Sequence, residues 1–480
     1  MMKAIRFLCF AFVLVSFASC SRHSKQFNFV LPVSSLPGSR DPVQMLDEAS
    51  AIYSGFAMRG LYKTDVTGRI VPQIASEKMT ARGLVFGTAL RSALFTDGTT
   101  VSPADVLYSL RRLQQSGRQT WILDGVQTIR SAGDRIEFVT DGTISPESLM
   151  ARLTLPAAAI YNQQSHSAGE FVFSAPFREI WRNSDSIVFQ HSSGKSLQLS
   201  MHASPASAYF AMRRGLVSAY MPQGAFRRMP VDSRYTFQGY TGETVLYAAI
   251  VSGNHACLSQ REFRLQLRQI YPAEKIFSNT FQNSYVMAAF PVPNSYKGSI
   301  KVSKESQPVT SRALPACRET IDLYTTTDRD RQAMARVLQD ILLRENIPAR
   351  IRILDFQALK KSNAAGLPGI YFLKWVSDYP HPENFLIPLF HSRQSGGGGN
   401  RSHFRSPRMD ALLEEYARTG KATLFIPMQR ILEEETPWLF TAHEMQAVYL
   451  LRELPVEIPI LPNGWGEAVD SLWKNPVIGN

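Results

Sequence analysis

Residues 370–376, Ile-Tyr-Phe-Leu-Lys-Trp-Val, run as an apolar strand into Ser377, Asp378 and Tyr379, and then into Pro380, His381, Pro382, Glu383 and Asn384. An aromatic wall at Trp375 and a carboxylate set between aromatics suit a cation. The α-ammonium of a peptide is one such cation, held by a charge-assisted hydrogen bond. The same residue types also describe a capping aspartate ahead of a proline-rich turn, and residue types alone leave both readings open.

Other kinds of chemistry lack their residues. The chain has no Walker A loop, no Gly-x-Ser-x-Gly elbow, no His-Glu-x-x-His and no Gly-x-Gly-x-x-Gly. His443-Glu444 begins like a zinc-protease motif, but Ala447 stands where the second histidine belongs. The nine histidines do not cluster at ligand spacing, and His381 and His391 read as satisfied loop or core residues. Neither catalysis, nor a metal, nor a cofactor is expected.

The N-terminus speaks to compartment. Lys3 and Arg6 precede an apolar run from Phe7 to Val15, and Ser16-Phe17-Ala18-Ser19-Cys20 closes it with small residues. That order describes a secretory signal over residues 1–19 and is too short for a membrane span. Phe17-Ala18-Ser19-Cys20 resembles the bacterial lipobox, which makes Cys20 a candidate lipidation site and membrane anchor in the periplasm or at the cell surface. An ordinary signal with an incidental Cys20 is the alternative. Of the four cysteines, Cys257 and Cys317 remain for the folded part; a disulfide between them or a pair of buried thiols are both open.

The formal net charge is +12, and loss of Lys3 and Arg6 with the signal leaves +10. Lys and Arg are scattered among acids from end to end, unlike the stripe of a nucleic-acid binder, so no nucleic acid is expected. A solvated surface or membrane proximity accounts for the charge.

The elements that must position these residues are of mixed α/β type, without a repeat, in a chain long enough for two or three domains. Ser102-Pro103-Ala104-Asp105 caps a helix with Val106, Leu110 and Leu113 on its apolar face. Ser406-Pro407 opens another, carrying Met409, Leu412, Leu413 and Tyr416. Arg135-Ile136-Glu137-Phe138-Val139 alternates as a strand. A strand at Ile321-Asp322-Leu323-Tyr324, a capping box from Thr327 to Asp330, a stripe of Met334, Val337, Leu338 and Ile341, and a strand from Ala349 to Leu354 make a βαβ unit, whose parallel sheet would hold ligand along one edge. Ser395-Gly396-Gly397-Gly398-Gly399-Asn400 reads as a mobile loop.

Several segments together resemble the oligopeptide- and dipeptide-binding proteins of ABC importers, extracellular solute-binding family 5. They are Asp41-Pro42, Gly60-Leu61-Tyr62, Val71-Pro72-Gln73-Ile74-Ala75-Ser76, and above all the stretch Leu94-Phe95-Thr96-Asp97-Gly98-Thr99-Thr100-Val101-Ser102-Pro103-Ala104-Asp105-Val106-Leu107-Tyr108-Ser109. Gly215-Leu216-Val217-Ser218 matches further on, with serine in place of the usual acid, as do the segment from Trp375 to Pro382 and Phe404-Arg405-Ser406-Pro407.

The resemblance implies a periplasmic-binding-protein-like α/β fold of two hinged lobes in its three-domain variant. Lobe I takes residues 20–59, 157–245 and 446–480, an extra domain II takes 60–156, and lobe III takes 246–445. It implies a monomer, not an enzyme, that holds peptide extended between the lobes and hands it to permease subunits in the membrane. Asp378 falls where such proteins pair with the ligand ammonium and Trp375 where they place a pocket wall, with Ser377 and Tyr379 beside them. Asp47 and Glu48 fall on backbone that lies along the peptide. The arginine that some members carry three residues before the tryptophan is Phe372 here, which leaves Lys374 or Arg393 to meet a ligand carboxylate. A metal chelate, haem, sugar or cell-wall peptide as cargo is the alternative on the same fold; a hydrolase or adhesion module is the alternative of another class.

Overall fold

A computed structural model describes residues 27–222, 232–281, 284–293, 296, 314–396, 398–454, 456–459 and 461–474; Cys20 and the signal-like segment lie outside these. Local rules account for much of what forms. Ser102 caps the helix Pro103–Gln115, its Oγ accepting from Asp105 N at 3.3 Å while Asp105 Oδ2 accepts from Ser102 N at 2.9 Å. Ser406 caps Pro407–Thr419 in the same way. Strand Arg135–Thr140 buries alternate side chains, which the two-residue period of a strand requires when one face meets a core.

Three main sheets divide the chain. In the first, Phe29–Val33 runs parallel to Ser196–Met201, which pairs antiparallel with Ser186–His191, and that in turn with Phe177–Arg182. Its core gathers Phe29, Phe56, Phe189 and, from the far end of the chain, Trp465. A second, antiparallel sheet orders Thr80–Arg82, Val85–Ala89, Arg135–Thr140 and Val126–Ala132 over a separate core containing Leu110, Ile136 and Phe138. The third orders Ala219–Tyr220, Trp438–Leu451, Tyr235–Val251, Gly369–Val376, Ile321–Thr325 and Ala349–Ile353, with Tyr285–Met287 added against Trp438–Leu451. Ile321–Thr325 and Ala349–Ile353 are parallel across the helix Arg329–Arg344, the βαβ unit read from the sequence.

Two long strands join the cores. Tyr235–Val251 and Trp438–Leu451 pair antiparallel through both their halves, with a register shift between Thr241 and Val245. On one side of that shift Tyr240, Val448 and Leu450 pack with the Phe29 core; on the other Leu246 and Ala442 join a core with Leu323 and Phe372. Gly242 sits in the shift because the strands close there, where an added Cβ would stand 2.6 Å from the Gln446 side chain. Ser218, at the position where an acid was the usual residue, accepts from Val30 N at 2.9 Å and ties the first sheet to the third.

One local expectation is corrected. The cap of helix Arg329–Arg344 is Asp328, whose carboxylate accepts from Arg331 N at 2.9 Å, so no box spans Thr327 to Asp330. Aspartate one residue later wins because its carboxylate reaches the exposed N–H groups of the first turn. The glycine-rich run is held at its far end: Asn400 is fully buried and donates to His391 O and Phe404 O, and a Cβ on Gly399 would meet Pro388 O at 2.7 Å and the Trp375 ring at 3.0 Å. At Gly399 the absence of a side chain permits this close packing; Gly397 of the run lies outside the described residues.

Cys257 and Cys317 are joined in a buried disulfide, with Cα atoms 5.9 Å apart and 60 positions between them in sequence. Closing a loop of that length removes about 4 kcal/mol of unfolded-chain entropy. Replacing both cysteines by serine should lower the unfolding free energy of this region by about 2–4 kcal/mol, seen as an earlier denaturant midpoint. An unchanged midpoint would mean that the bond adds nothing to stability.

Candidate functional site

Strand Gly369–Val376 pairs with Tyr235–Val251 so that Lys374 stands across from Leu246 and Trp375 from Val245, pointing to opposite faces. Trp375 is half-buried against the core of Phe385 and Leu389. Val376 ends the strand 63% exposed. The chain then turns into helix Glu383–Phe390, and this turn is locked by main-chain bonds. Ser377 N donates to Glu243 O at 3.0 Å, and Ser377 Oγ donates to Tyr379 O at 2.6 Å.

Asn384 completes the lock. Its Oδ1 accepts both from Asp378 N at 3.0 Å and from Trp375 Nε1 at 3.3 Å. One amide oxygen thus sets the carboxylate and the aromatic wall relative to each other. Asp378 itself is exposed, and no cation lies within ion-pair distance among the described residues. Burial among the surrounding protein nonetheless raises its pKa above the usual carboxylate value, with the Asn384 side chain opposing. A carboxylate open to solvent yet short of bulk water is what a cleft wall produces.

Helix Glu48–Ala57 carries the other two carboxylates expected at the site. Asp47 caps it, accepting from Ser50 N at 2.7 Å, so this carboxylate is used in holding the helix rather than being free for ligand. Glu48 in the first turn is exposed, and burial first, then the charge of Asp47, raises its pKa. Burial raises the pKa of the Tyr240 phenol, and the charges of Glu48 and Glu243 add to the rise. The Tyr296 hydroxyl donates to Glu243. Glu243 therefore lies at the strand shift, touching the Asp378 turn through its carbonyl. Glu243, Tyr240, Tyr296 and Asn384 were not singled out as site residues from the sequence.

Three expected ligand contacts are otherwise engaged. Lys374 pairs with Glu444 at 3.1 Å and stands over the Tyr285 ring. Arg393 pairs with Glu414 at 2.9 Å and leans on His391. Tyr379 is buried and packs at a tilt against Trp121 of the second sheet's core, with ring centroids 5.6 Å apart. Beside it, Arg152 and Glu383 form an ion pair whose side chains are 12% and 4% exposed. His443 and Glu444 lie in a strand, where the helical geometry of a zinc protease is absent.

Residues 69–397 match the family described as bacterial extracellular solute-binding proteins, family 5. This chain belongs to that family. Its fold is that of HbpA2 from Haemophilus parasuis, with a TM-score of 0.75 at 15% identity over 88% of this chain and 95% of that one. DppA from Helicobacter pylori, solved with the peptide STSA, gives a TM-score of 0.68 at 17% identity over 91% of this chain and 96% of that one. Among curated relatives, Probable di/tripeptide-binding protein 5 of Pseudomonas aeruginosa is 29% identical over 116 residues. The matched stretch covers 23% of this chain and 22% of that relative. Family 5 is thereby one of solute receptors, and among the described residues of this member no helix is long and apolar enough to cross a membrane.

In this family member the Arg152–Glu383 pair joins the second core to the turn that carries Asp378. Removing one partner of a buried pair leaves the other charge without compensation, at about 3–5 kcal/mol. Arg152→Met should lower stability by that order, while Arg152→Met with Glu383→Leu should recover most of the loss. Calorimetric unfolding of the three proteins checks it, and equal stability of the single variant and the parent would remove the pair from this role.

Proposed function

We propose that this chain is the peptide receptor of an ABC importer, with Asp378 as the anchor for the ligand's α-ammonium. The observation that carries the reading is the exposed carboxylate of Asp378, without an ion-pair partner among the described residues, on a turn that Asn384 ties to Trp375. A peptide would lie extended between the lobes, its main chain bonded as in strand addition and its side chains in hydrated space. The names of the curated relatives and the peptide-bound DppA fold support peptide over other cargo.

On this reading residues 20–59, 157–245 and 446–480 form lobe I, 60–156 the extra domain II and 246–445 lobe III. The hinge is the shifted stretch of the two long strands. Closure on ligand is a population shift, and the closed form docks as a monomer on membrane permease subunits. A signal over residues 1–19 and lipid on Cys20 would keep the receptor outside the cytoplasm and at a membrane. No catalytic step is assigned to it.

A charge-assisted hydrogen bond contributes about 1.5–3 kcal/mol, so Asp378→Asn should weaken free-amino tri- to pentapeptides about 10- to 150-fold. N-acetylation of the peptide should weaken binding to the parent protein by a similar factor and leave the variant little changed. Parent affinity should also fall as pH drops, starting above the ordinary carboxylate range, because burial raises the Asp378 pKa and the protonated acid has no charge to offer. Calorimetric titration reads all three. Peptides that bind the variant as tightly as the parent would move the anchor elsewhere, and no binding of any free peptide would discard the peptide reading.

A further inference from the structure

Helix Glu48–Ala57 leads into Arg59, which lines a cavity whose walls include neither Asp378 nor Glu48. The cavity, of about 770 Å³, is lined by Arg59, Lys63, Arg91 and Lys474 together with Glu467 and Asp470. Both carboxylates already have cations. Lys63 pairs with Glu467, Lys474 Nζ lies 2.8 Å from Asp470 Oδ2, and His191 Nε2 lies 2.9 Å from Asp470 Oδ1.

Two guanidiniums are left over, neither in an ion pair among the described residues. Arg91 is aimed by backbone: Nε donates to Ala75 O at 3.0 Å and Nη2 to Pro72 O at 3.5 Å. Arg59 stands on a fixed stretch of chain. Its carbonyl accepts from Ile160 N at 2.9 Å, Gly60 N donates to Gln73 Oε1 at 3.0 Å, and a Cβ on Gly60 would stand 3.0 Å from Leu153 O. Burial lowers the Arg59 pKa, Asp470 and Glu467 oppose the shift, and Arg91 adds to it. The neighbouring acids thus do not make good the desolvation of this cation, which an anion would.

We propose that this cavity is an oxyanion site in which Arg59 and Arg91 hold a phosphate group, with hydroxyls of Ser192 and Ser471, which also line it, as further donors. The guanidinium fork matches phosphate oxygens in pairs, and two forks suit a group with three or four of them. Inorganic phosphate and a phospholipid headgroup share this chemistry.

Calorimetric titration of the purified protein with inorganic phosphate, against chloride at equal ionic strength, tests the site. Vesicles of phosphatidylcholine with and without phosphatidylglycerol, sedimented with the protein, test the lipid source. Saturable one-to-one phosphate binding that weakens at least tenfold in both Arg59→Gln and Arg91→Gln is expected. Vesicle binding that the same substitutions abolish and free phosphate competes would assign the headgroup; phosphate binding without it would assign the free anion. Should Arg59→Gln fail to unfold cooperatively, the exposed Arg91→Gln carries the comparison. No saturable binding of either probe, or folded variants that bind as tightly as the parent, would overturn the proposal.

Discussion

The hydrogen-bond ladder between Tyr235–Val251 and Trp438–Leu451 is the constraint on which the rest depends. Each strand passes from one hydrophobic core to another without a break, and a buried backbone group that lost its partner would be costly. The two cores are therefore held at a set separation by continuous pairing rather than by contacts across their gap. The register shift between Thr241 and Val245 bends the ladder, as an irregularity in strand pairing does. It also leaves Glu243 where its carbonyl can hold the Ser377 turn.

At the turn that carries Asp378, one neutral amide does the positioning. Asn384 Oδ1 binds the Asp378 main chain and the Trp375 indole together, so the carboxylate keeps its orientation without spending its own charge on a cation. The cations nearest in sequence are consumed elsewhere, Lys374 by Glu444 and Arg393 by Glu414. A chain with a formal charge of +12 thus keeps an exposed acid at Asp378 with no ion-pair partner among the described residues. Net charge describes the solvated surface and says little about an enclosed site, where individual pairings decide the field.

The boundaries between cores carry buried ion pairs. Arg112 grips Asp41 with both terminal nitrogens, at 2.8 and 2.6 Å, and Arg152 pairs with Glu383 beside the contact of Trp121 with Tyr379. Such pairs add little net stability over apolar contacts, yet they tolerate few alternative arrangements, since a mispaired buried charge is penalised. They suit surfaces that must meet in one register. The cores themselves are built of aromatic and aliphatic side chains, which specify volume more than geometry.

What the sequence determined by itself was local. The caps at Ser102 and Ser406, the alternation of Arg135–Thr140 and the βαβ unit were legible because each depends on neighbours within a few residues. The family resemblance was legible for the same reason, being carried by short runs of residue types. The one local failure, the cap at Asp328, was an error of a single residue. The tertiary structure alone decided which of those residues remain free. Lys374 lost its freedom to a residue 70 positions away, and Tyr379 packs against a ring from another core. Cys257 met Cys317 across 60 positions, and Gly399 came to rest against Trp375. Residue type states what a side chain can bond to, but its partner is set by which distant strands share a ladder, and no local pattern encodes that.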